Sequence, residues 1–315
     1  MSDLLLTVNT VLPVFLVMVV GFVCRELKLV KPDAVKAMNR LVFQVFLPVS
    51  LAKSLMTVDP DVRIDDSVML YCAAGILATF FAGMLLVPRF VADNRRRGAL
   101  IQGIYRSNYA ILGIPLIESL FPGGDNGVSA MIALITVPLF NILAVITLET
   151  FRGGRFSLPK ILIGIIKNPL ILGCAAGFII GKLPFTVPEF LMSTITKLGS
   201  VASPLALFSL GATIDLKKIG GNAKALLAGV SARLIIAPGI LLFFAYLLGY
   251  RGAEFAALMI AFGSPCAVSS YTMAAQMDSD EELAAQMVML TTVFSVFTIF
   301  LMVLLFQNVG IFSLQ

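Results

Sequence analysis

The sequence lacks the residue types on which most enzyme chemistry depends. It has no histidine in 315 residues, so the usual neutral-pH proton carrier and the commonest metal ligand are both missing. The four cysteines lie in apolar runs without metal-site spacing, and we expect unpaired thiols there, not disulfides. No P-loop and no nucleophile–base pair is present. The sequence therefore predicts a protein that is not an enzyme and holds no cofactor or metal.

Charge is also scarce, at 13% of the residues, whereas 59% are hydrophobic. This balance is typical of an all-α polytopic membrane protein. The chain opens with MSDLLLTVNTV, which holds no basic residue, so we expect a retained first helix and no cleaved signal peptide. Ten segments are long enough to cross roughly 30 Å of hydrocarbon. They lie near residues 5–24, 36–56, 67–91, 98–121, 128–150, 160–182, 188–214, 223–248, 252–276 and 282–306.

The short loops between these segments hold most of the charge and predict the topology. Fifteen lysines and arginines lie in or beside the odd-numbered loops, against three in the even-numbered loops. Because cytoplasmic loops carry the excess of Lys and Arg, the odd loops are predicted to be cytoplasmic and both termini outside. The basic excess is thus a topology signal, and no nucleic-acid partner is expected.

The two halves of the chain resemble each other at a spacing of 156 residues. Three prolines recur without a gap: Pro13, Pro32 and Pro48 match Pro169, Pro188 and Pro204. Residues 1–156 and 157–315 would then form two repeats of five helices, and the odd number makes them inverted across the membrane. Inverted repeats with interrupted helices are typical of secondary transporters. Duplication in a receptor or scaffold is the alternative.

A polar stretch, residues 106–115, interrupts the fourth segment. Pro115 cannot donate to the helical ladder, Gly113 loosens the same turn, and Asn108 offers donor and acceptor groups. Such a break is tolerated in a membrane only where it is buried in protein or lines a wet cavity. Its repeat partner, residues 263–271, also carries a proline and hydroxyl groups in mid-span.

The two breaks are expected to meet near the bilayer centre. Half-helix N-termini there would offer N–H groups and partial positive charge, which suits an anion. The alternative interpretation is two proline kinks packed against neighbouring helices. The expected substrate-binding residues are Arg106, Asn108, Tyr109, Gly113, Pro115, Ser264, Pro265, Ser269, Ser270 and Tyr271.

Basic residues inside spans are costly and therefore functional candidates. Arg106 has two possible roles. It could pair with a carboxylate of the substrate, or it could be structural, with its charge at the membrane interface or on a neighbouring carbonyl oxygen. Its repeat counterpart, Phe262, is apolar, so symmetry does not explain this arginine. Arg233 lies five residues before Pro238, and binding to helix-end carbonyls opened by that proline is slightly favoured over contact with the substrate.

Lys53 and Lys197 occupy equivalent helices and are expected to be structural, with Asp59 and Asp215 as candidate partners. Carboxylates lie near the ends of the spans and not at mid-depth. Their position favours a uniporter or a weakly coupled carrier, with coupling to H⁺ or to Na⁺ through carbonyls and hydroxyls left open.

Several motifs resemble those of the auxin efflux carrier family. They are SNYAILGIPL at 107–116, KNPLI at 167–171, LGSVASPLALFSLGATI at 198–214, and SPCAVSSYTMA at 264–274 with ELA and LTT after it. The resemblance covers nearly the whole chain in order. The short chain is similar to bacterial members, malonate or other organic-anion permeases related to plant PIN carriers. Unlike the plant pattern, Arg106-Ser107-Asn108 stands where Asn-Pro-Asn is expected, so auxin is not implied as the substrate.

This resemblance implies a bile-acid/auxin transporter type of fold, with the fourth and ninth helices broken and crossing. It also implies a scaffold domain of helices 1, 2, 6 and 7 and a transport domain of helices 3–5 and 8–10. The two would move relative to each other like an elevator, in a bacterial inner membrane with lipids around them. A homodimer is left open.

The leading hypothesis is a secondary carrier of a small organic anion, with its site at the helix 4/9 crossover. The second is a carrier of an amphipathic neutral or zwitterionic solute in the same fold. The third is a membrane receptor or scaffold that transports nothing, although no soluble segment exceeds about ten residues.

Overall fold

The computed structural model describes residues 2–57, 66–109, 117, 128–152, 158–183, 187–214 and 219–311. Within these ranges the chain is helical apart from short connections. The α-helices are α1 (Ser2–Glu26), α2 (Pro32–Leu41), α3 (Leu47–Met56), α4 (Asp66–Phe90), α5 (Asn94–Tyr105), α6 (Val128–Phe151), α7 (Leu158–Lys167), α8 (Pro169–Lys182), α9 (Glu189–Thr213), α10 (Ile219–Ser231), α11 (Ala237–Leu247), α12 (Gly252–Gly263), α13 (Val268–Gln276) and α14 (Glu281–Asn308).

Five helical stretches of the described chain are long and apolar enough to cross a membrane. They are Asp66–Phe90, Met131–Phe151, Glu189–Thr213, Gly221–Leu247 and Glu281–Asn308. Two shorter apolar helices, Pro169–Lys182 and Gly252–Gly263, accompany them. The prediction of a helical polytopic membrane protein is thereby confirmed. The arrangement of ten spans in two inverted repeats stays a prediction.

Two π-turns interrupt the helices close to prolines. The turn Val42–Phe46 joins α2 to α3, where Pro48 follows, and Ala232–Ile236 joins α10 to α11, where Pro238 follows. Because proline lacks an N–H and crowds the preceding turn, the helical ladder widens at such points. The second π-turn carries Arg233, and it directs this side chain into the protein, where it is buried.

One helix end recurs at the period found in the sequence. Helix α1 ends at Glu26, and α8 ends 156 residues later at Lys182. Asn168 separates α7 from α8, because its side-chain oxygen caps α8 by accepting from the first backbone amides of that helix.

Two glycines let helices approach closely at equivalent points. A Cβ on Gly21 of α1 would overlap the carbonyl oxygen of Phe208 in α9, and one on Gly177 of α8 would overlap that of Ala52 in α3. Gly177 lies 156 residues after Gly21, and Phe208 lies 156 after Ala52. Each contact thus maps onto the other with the helices exchanged, as a two-fold relation between the repeats requires. The boundaries of the two repeats stay a prediction.

The helices pack in two groups around the broken segments. In the first group α3 packs against α8 and α9, and α1 packs against α9. In the second, α12 is surrounded by α4, α6, α11 and α14, and its residues from Phe255 to Gly263 are all buried. Helix α13 touches both groups, through α2 and α9 on one side and α5 and α14 on the other. Because α1 also packs against α14, the predicted division into scaffold and transport domains stays a prediction.

Candidate functional site

The two broken helices meet at a short antiparallel bridge between Ser107 and Cys266. The Asn108 amide donates to the Pro265 carbonyl oxygen at 2.8 Å, and the Ala267 amide donates to the Arg106 carbonyl oxygen at 3.1 Å. Within the described residues, each broken segment therefore supplies a backbone acceptor for an amide of the other, as a membrane interior requires. The predicted meeting of the two interruptions is present, although Gly113 and Pro115 lie outside the described residues.

The bridge relates the two breaks at a spacing slightly longer than the sequence period. Its central residues, Ser107 and Cys266, lie 159 positions apart, not 156. At this spacing the counterpart of Arg106 is Pro265, whereas the ungapped period gives Phe262. Neither is basic. The arginine therefore breaks the symmetry of the crossover under either alignment.

A cavity of about 360 Å³ lies where α3 and α9 face the crossover. Of the residues predicted from the sequence, Arg106, Asn108, Tyr109 and Ser269 line it, and so does Lys53. The other lining residues are Leu47, Ser50, Leu51, Ser54, Ser107, Thr136, Val137, Phe140, Asn141, Leu170, Thr196, Gly199, Ser200, Ser203, Ala206, Ala267 and Val268. The wall thus combines apolar side chains with many hydroxyls and few charges, which is typical of a small-molecule site.

Arg106 is the charged group of this cavity closest to the crossover, and it is only 2% exposed. Its guanidinium donates to the side-chain oxygens of Gln102 at 3.1 Å and Asn141 at 2.6 Å, and it lies 2.8 Å from the sulfur of Met273. Among the described residues no carboxylate lies within 4.0 Å of it. Its hydrogen-bond partners are therefore neutral, and no described carboxylate supplies a counter-charge.

Several hydrogen-bond donors surround the same space. The Asn108 Nδ2, Ser107 Oγ and Thr136 Oγ1 atoms are buried and have no hydrogen-bond partner within the described ranges. Helix α13 also begins at the cavity wall, where Val268 and Ser269 line it. The first amides of a helix have no acceptor within that helix and carry partial positive charge. Residues of the cavity wall therefore carry buried donors without partners, and the start of α13 adds positive potential, two features that favour an anion.

Arg233 is the second buried arginine, also 2% exposed, and it does not line the cavity. Its guanidinium donates to carbonyl oxygens at the ends of both broken helices. In α5 these are Ile104 at 3.3 Å and Tyr105 at 3.2 Å, and at the end of α12 they are Ala261 at 3.4 Å and Ser264 at 2.8 Å. The sequence predicted carbonyls opened by Pro238 in the same helix, whereas these carbonyls belong to the two helices that end at the crossover.

The remaining predicted residues lie beside the cavity and not in its wall. The Tyr271 hydroxyl faces α2 and α9, where it accepts a hydrogen bond from Asn39 Nδ2 at 2.6 Å and shares another with Thr213 Oγ1. Ser264 and Ser270 are buried at the crossover. Pro265 contributes its carbonyl oxygen to the bridge described above.

Lys197 is exposed on α9, and its candidate partner Asp215 lies outside the described residues, as does Asp59 for Lys53. Lys53 is half-buried in the cavity wall, with no ion pair to a described carboxylate. The structure therefore brings Lys53 into the same cavity as Arg106 and leaves Lys197 outside it.

Sequence reasoning did not single out Asn141, although this residue binds Arg106. The signal was present, since Asn141 is a lone amide within the apolar run VPLFNILAV. Its Nδ2 donates to the Val137 carbonyl oxygen at 2.8 Å, which orients its oxygen toward the arginine. The hydroxyls of Ser50, Ser54 and Ser203 were also missed, because serine in a membrane helix is too common to indicate a site by itself.

The described chain has several apolar helices long enough to cross a membrane, and two helix ends joined by a backbone bridge beside a cavity, features that are found in membrane transporters. A family model described as membrane transport protein matches residues 6–154 and 152–303. The chain therefore belongs to this family, the auxin efflux carrier family, which confirms the resemblance seen in the motifs. Membership of a transporter family also favours a function other than catalysis.

Curated relatives align over nearly their full length. An uncharacterized transporter of Methanocaldococcus jannaschii is 25% identical over 316 residues, covering 94% of this chain and 97% of the relative. An uncharacterized transporter of Methanothermobacter thermautotrophicus is 23% identical, covering 91% and 94%. A protein of Rhizobium meliloti named as a candidate malonate transporter is 24% identical, covering 92% of each chain. The chain is thus a multi-pass membrane transport protein.

Proposed function

We propose that this transporter carries a small organic anion across the bacterial cytoplasmic membrane, with the anion bound in the cavity at the crossover. The observation that carries the proposal is Arg106, a buried guanidinium that lines the cavity beside neutral amides. A carboxylate fits this position because it accepts two parallel hydrogen bonds from a guanidinium. Asn108, Ser107 and Ser269 would bind the remaining oxygens.

The charge balance around the crossover supports an anion. Each helix C-terminus carries about half a negative charge, so the ends of α5 and α12 together offset about one positive charge. Arg233 binds both of these ends. Arg106 receives no such compensation within the described chain, and Lys53 adds a second positive charge to the cavity. A bound anion would supply the missing negative charge.

The cavity volume limits the size of the solute. At about 360 Å³ it lies near the lower end of the usual range for ligand pockets. Short mono- and dicarboxylates suit this space, with the guanidinium at one carboxylate and the start of α13 or Lys53 available for another. The name of the Rhizobium meliloti relative, which mentions malonate, makes that dicarboxylate the first compound to test.

The position of the cavity also supports an elevator-like movement. Its wall is shared between α3 and α9 on one side and the crossover with α6 on the other. A shift of the crossover and α6 against α3 and α9 would carry the anion between the two membrane faces. No described Asp or Glu lines the cavity. This composition favours a uniporter or weakly coupled carrier, because a proton-coupled site usually contains a titratable carboxylate.

The proposal is tested with a matched pair of solutes, malonate and its neutral diamide malonamide. Malonate should raise the unfolding temperature of the purified transporter and should be taken up by proteoliposomes, whereas malonamide should do neither. Other short carboxylates extend the series if malonate is too short or too long. Stabilisation by the neutral compounds alone would overturn the anion proposal in favour of a neutral-solute carrier. Anion-dependent stabilisation without any flux would indicate a receptor.

A further inference from the structure

We propose that Arg233 is a built-in cation of the crossover and occupies the place that a coupling sodium ion would take. In secondary transporters, unwound backbone carbonyls and half-helix C-termini are the groups that coordinate such an ion. Here the same kinds of groups are bound by a side chain of the protein itself. The inference rests on transport by this chain, but on no particular solute.

The hydrogen bonds of Arg233 show which carbonyl oxygens surround its guanidinium. Its Nε donates to the Ser264 carbonyl oxygen at 2.8 Å, at the end of α12. One terminal nitrogen donates to Tyr105 at 3.2 Å and Ile104 at 3.3 Å in α5, and the other donates to Ala261 at 3.4 Å in α12. Four carbonyl oxygens from two helix ends therefore converge on one planar group, a pattern that resembles an oxygen-coordinated cation site.

The charge of Arg233 matches the combined partial charge of the two helix C-termini that it binds. Two helix C-termini of about half a negative charge each attract about one positive charge in total. The guanidinium of Arg233 supplies one, and it cannot lose its proton under physiological conditions. A sodium ion in addition would leave an excess positive charge beside Arg233 in a buried region. Such an excess is unfavourable where water is absent.

The sequence context shows how the side chain reaches this point. Arg233 lies in the π-turn Ala232–Ile236, and Pro238 follows in the first turn of α11. A π-turn adds one residue to a helical turn and changes the direction of the side chains that follow. The Arg233 side chain is part of the turn between α10 and α11. It would therefore move with the crossover, and it need not be released during transport. A diffusing ion would have to bind and leave in each cycle.

This placement has a direct consequence for coupling. With the carbonyls occupied by a permanent charge, wild-type protein should show no sodium requirement at the crossover. Removing the side chain should expose the same carbonyls and create a cation site. The variant Arg233→Ala should therefore gain a response to small cations that the wild type lacks.

The experiment measures the unfolding temperature of the full chain in detergent. Wild type, Arg233→Ala and Arg233→Lys are compared in NaCl and in choline chloride of equal ionic strength, and again with millimolar guanidinium chloride. Arg251→Ala is the matched control, because the Arg251 guanidinium also binds backbone carbonyls, those of Tyr246 and Tyr250, but at an exposed helix end.

We expect the unfolding temperature of wild type and of Arg251→Ala to be the same in sodium and choline. Arg233→Ala should unfold several degrees lower and should recover part of this loss in guanidinium or in sodium, and Arg233→Lys should lie between. A saturable sodium response of the wild type would overturn the inference, even if Arg233→Ala does not fold. A folded Arg233→Ala that responds to neither cation would do the same. Failure of malonate to bind would contradict only the proposed substrate.

Discussion

The two buried arginines of the crossover are the same residue type at the same burial, and their surroundings differ. Both are 2% exposed. Arg233 faces four backbone carbonyls of helix ends, whereas Arg106 faces two side-chain amides and a cavity. One charge is balanced by the fold and the other is not.

This difference separates a structural charge from a functional one. A charge whose partners are all backbone groups of the protein stabilises the fold. A charge in a cavity wall whose partners are all neutral is costly to keep, and the cost is offset when an anion binds. Burial alone does not distinguish the two cases, because it is equal here.

The largest expected effect is the loss of stability in Arg233→Met. Four buried carbonyls would lose their donor, and each buried acceptor left unsatisfied costs about 1–3 kcal/mol. We therefore expect a low yield of monodisperse protein and a much lower unfolding temperature than for Arg106→Met, measured under one set of conditions. Equal unfolding temperatures for the two methionine variants would contradict the assignment of Arg233 to the fold.

The second effect is the loss of transport in Arg106→Met with the fold retained. Removing a buried guanidinium from a charged ligand costs about 2–5 kcal/mol, so uptake of the anion should fall about 100-fold at a solute concentration below KM. Initial rates in proteoliposomes, corrected for the amount of folded protein, measure this loss. Arg106→Lys is the control and should retain more activity, since it keeps the charge but not the planar donor geometry. Unimpaired uptake by Arg106→Met would remove this arginine from the site.

A third effect concerns the residue that positions Arg106. Asn141→Leu removes the acceptor at 2.6 Å and leaves the guanidinium less well oriented. One hydrogen bond to a charged group contributes about 1.5–3 kcal/mol, so KM for the anion should rise roughly tenfold or more. In the Arg106→Met background the same substitution should have little further effect on KM. Additive effects of the two substitutions would show that Asn141 acts independently of the arginine.

Much of this arrangement was predictable from residue patterns, because the membrane imposes strict rules on the backbone. The polar break around Asn108 and its partner near Ser264 were predicted to meet, and the structure joins them through the Ser107–Cys266 bridge. A broken helix in a membrane needs partners for its free backbone groups. Two breaks at matching positions of a repeat satisfy this need together.

Side-chain direction was not predictable in the same way. Tyr271 lies in the predicted motif but faces Asn39 and Thr213, whereas Asn141 lies in a different helix and faces Arg106. Which face of a short half-helix meets the cavity depends on the rotation of that helix within the bundle. The ungapped period also placed the breaks three residues out of the register that the bridge shows, enough to turn a helix face by most of a turn.

The smallest expected effect comes from a third arginine, Arg152, at the end of α6. It is 45% exposed and forms ion pairs with Asp278 at 2.6 Å and Glu149 at 3.3 Å. The hydrogen bond to Asp278 raises the pKa of Arg152 above its ordinary value. A raised pKa means that the stabilising contribution is complete below the ordinary pKa of arginine and is lost only as the pH rises through the higher value. The contribution of Arg152 should therefore stay constant from neutral to mildly alkaline pH.

Arg152→Ala should lower the unfolding temperature only slightly, since an exposed ion pair contributes about 0–1 kcal/mol. High salt should remove even this difference, because surface charges are screened, whereas the loss in Arg233→Met should persist in high salt. Unfolding temperatures of both variants at low and high NaCl measure the contrast. A salt-independent loss in Arg152→Ala as large as that in Arg233→Met would contradict it. The partners that the fold provides for each charge would then not determine how much each arginine stabilises the protein.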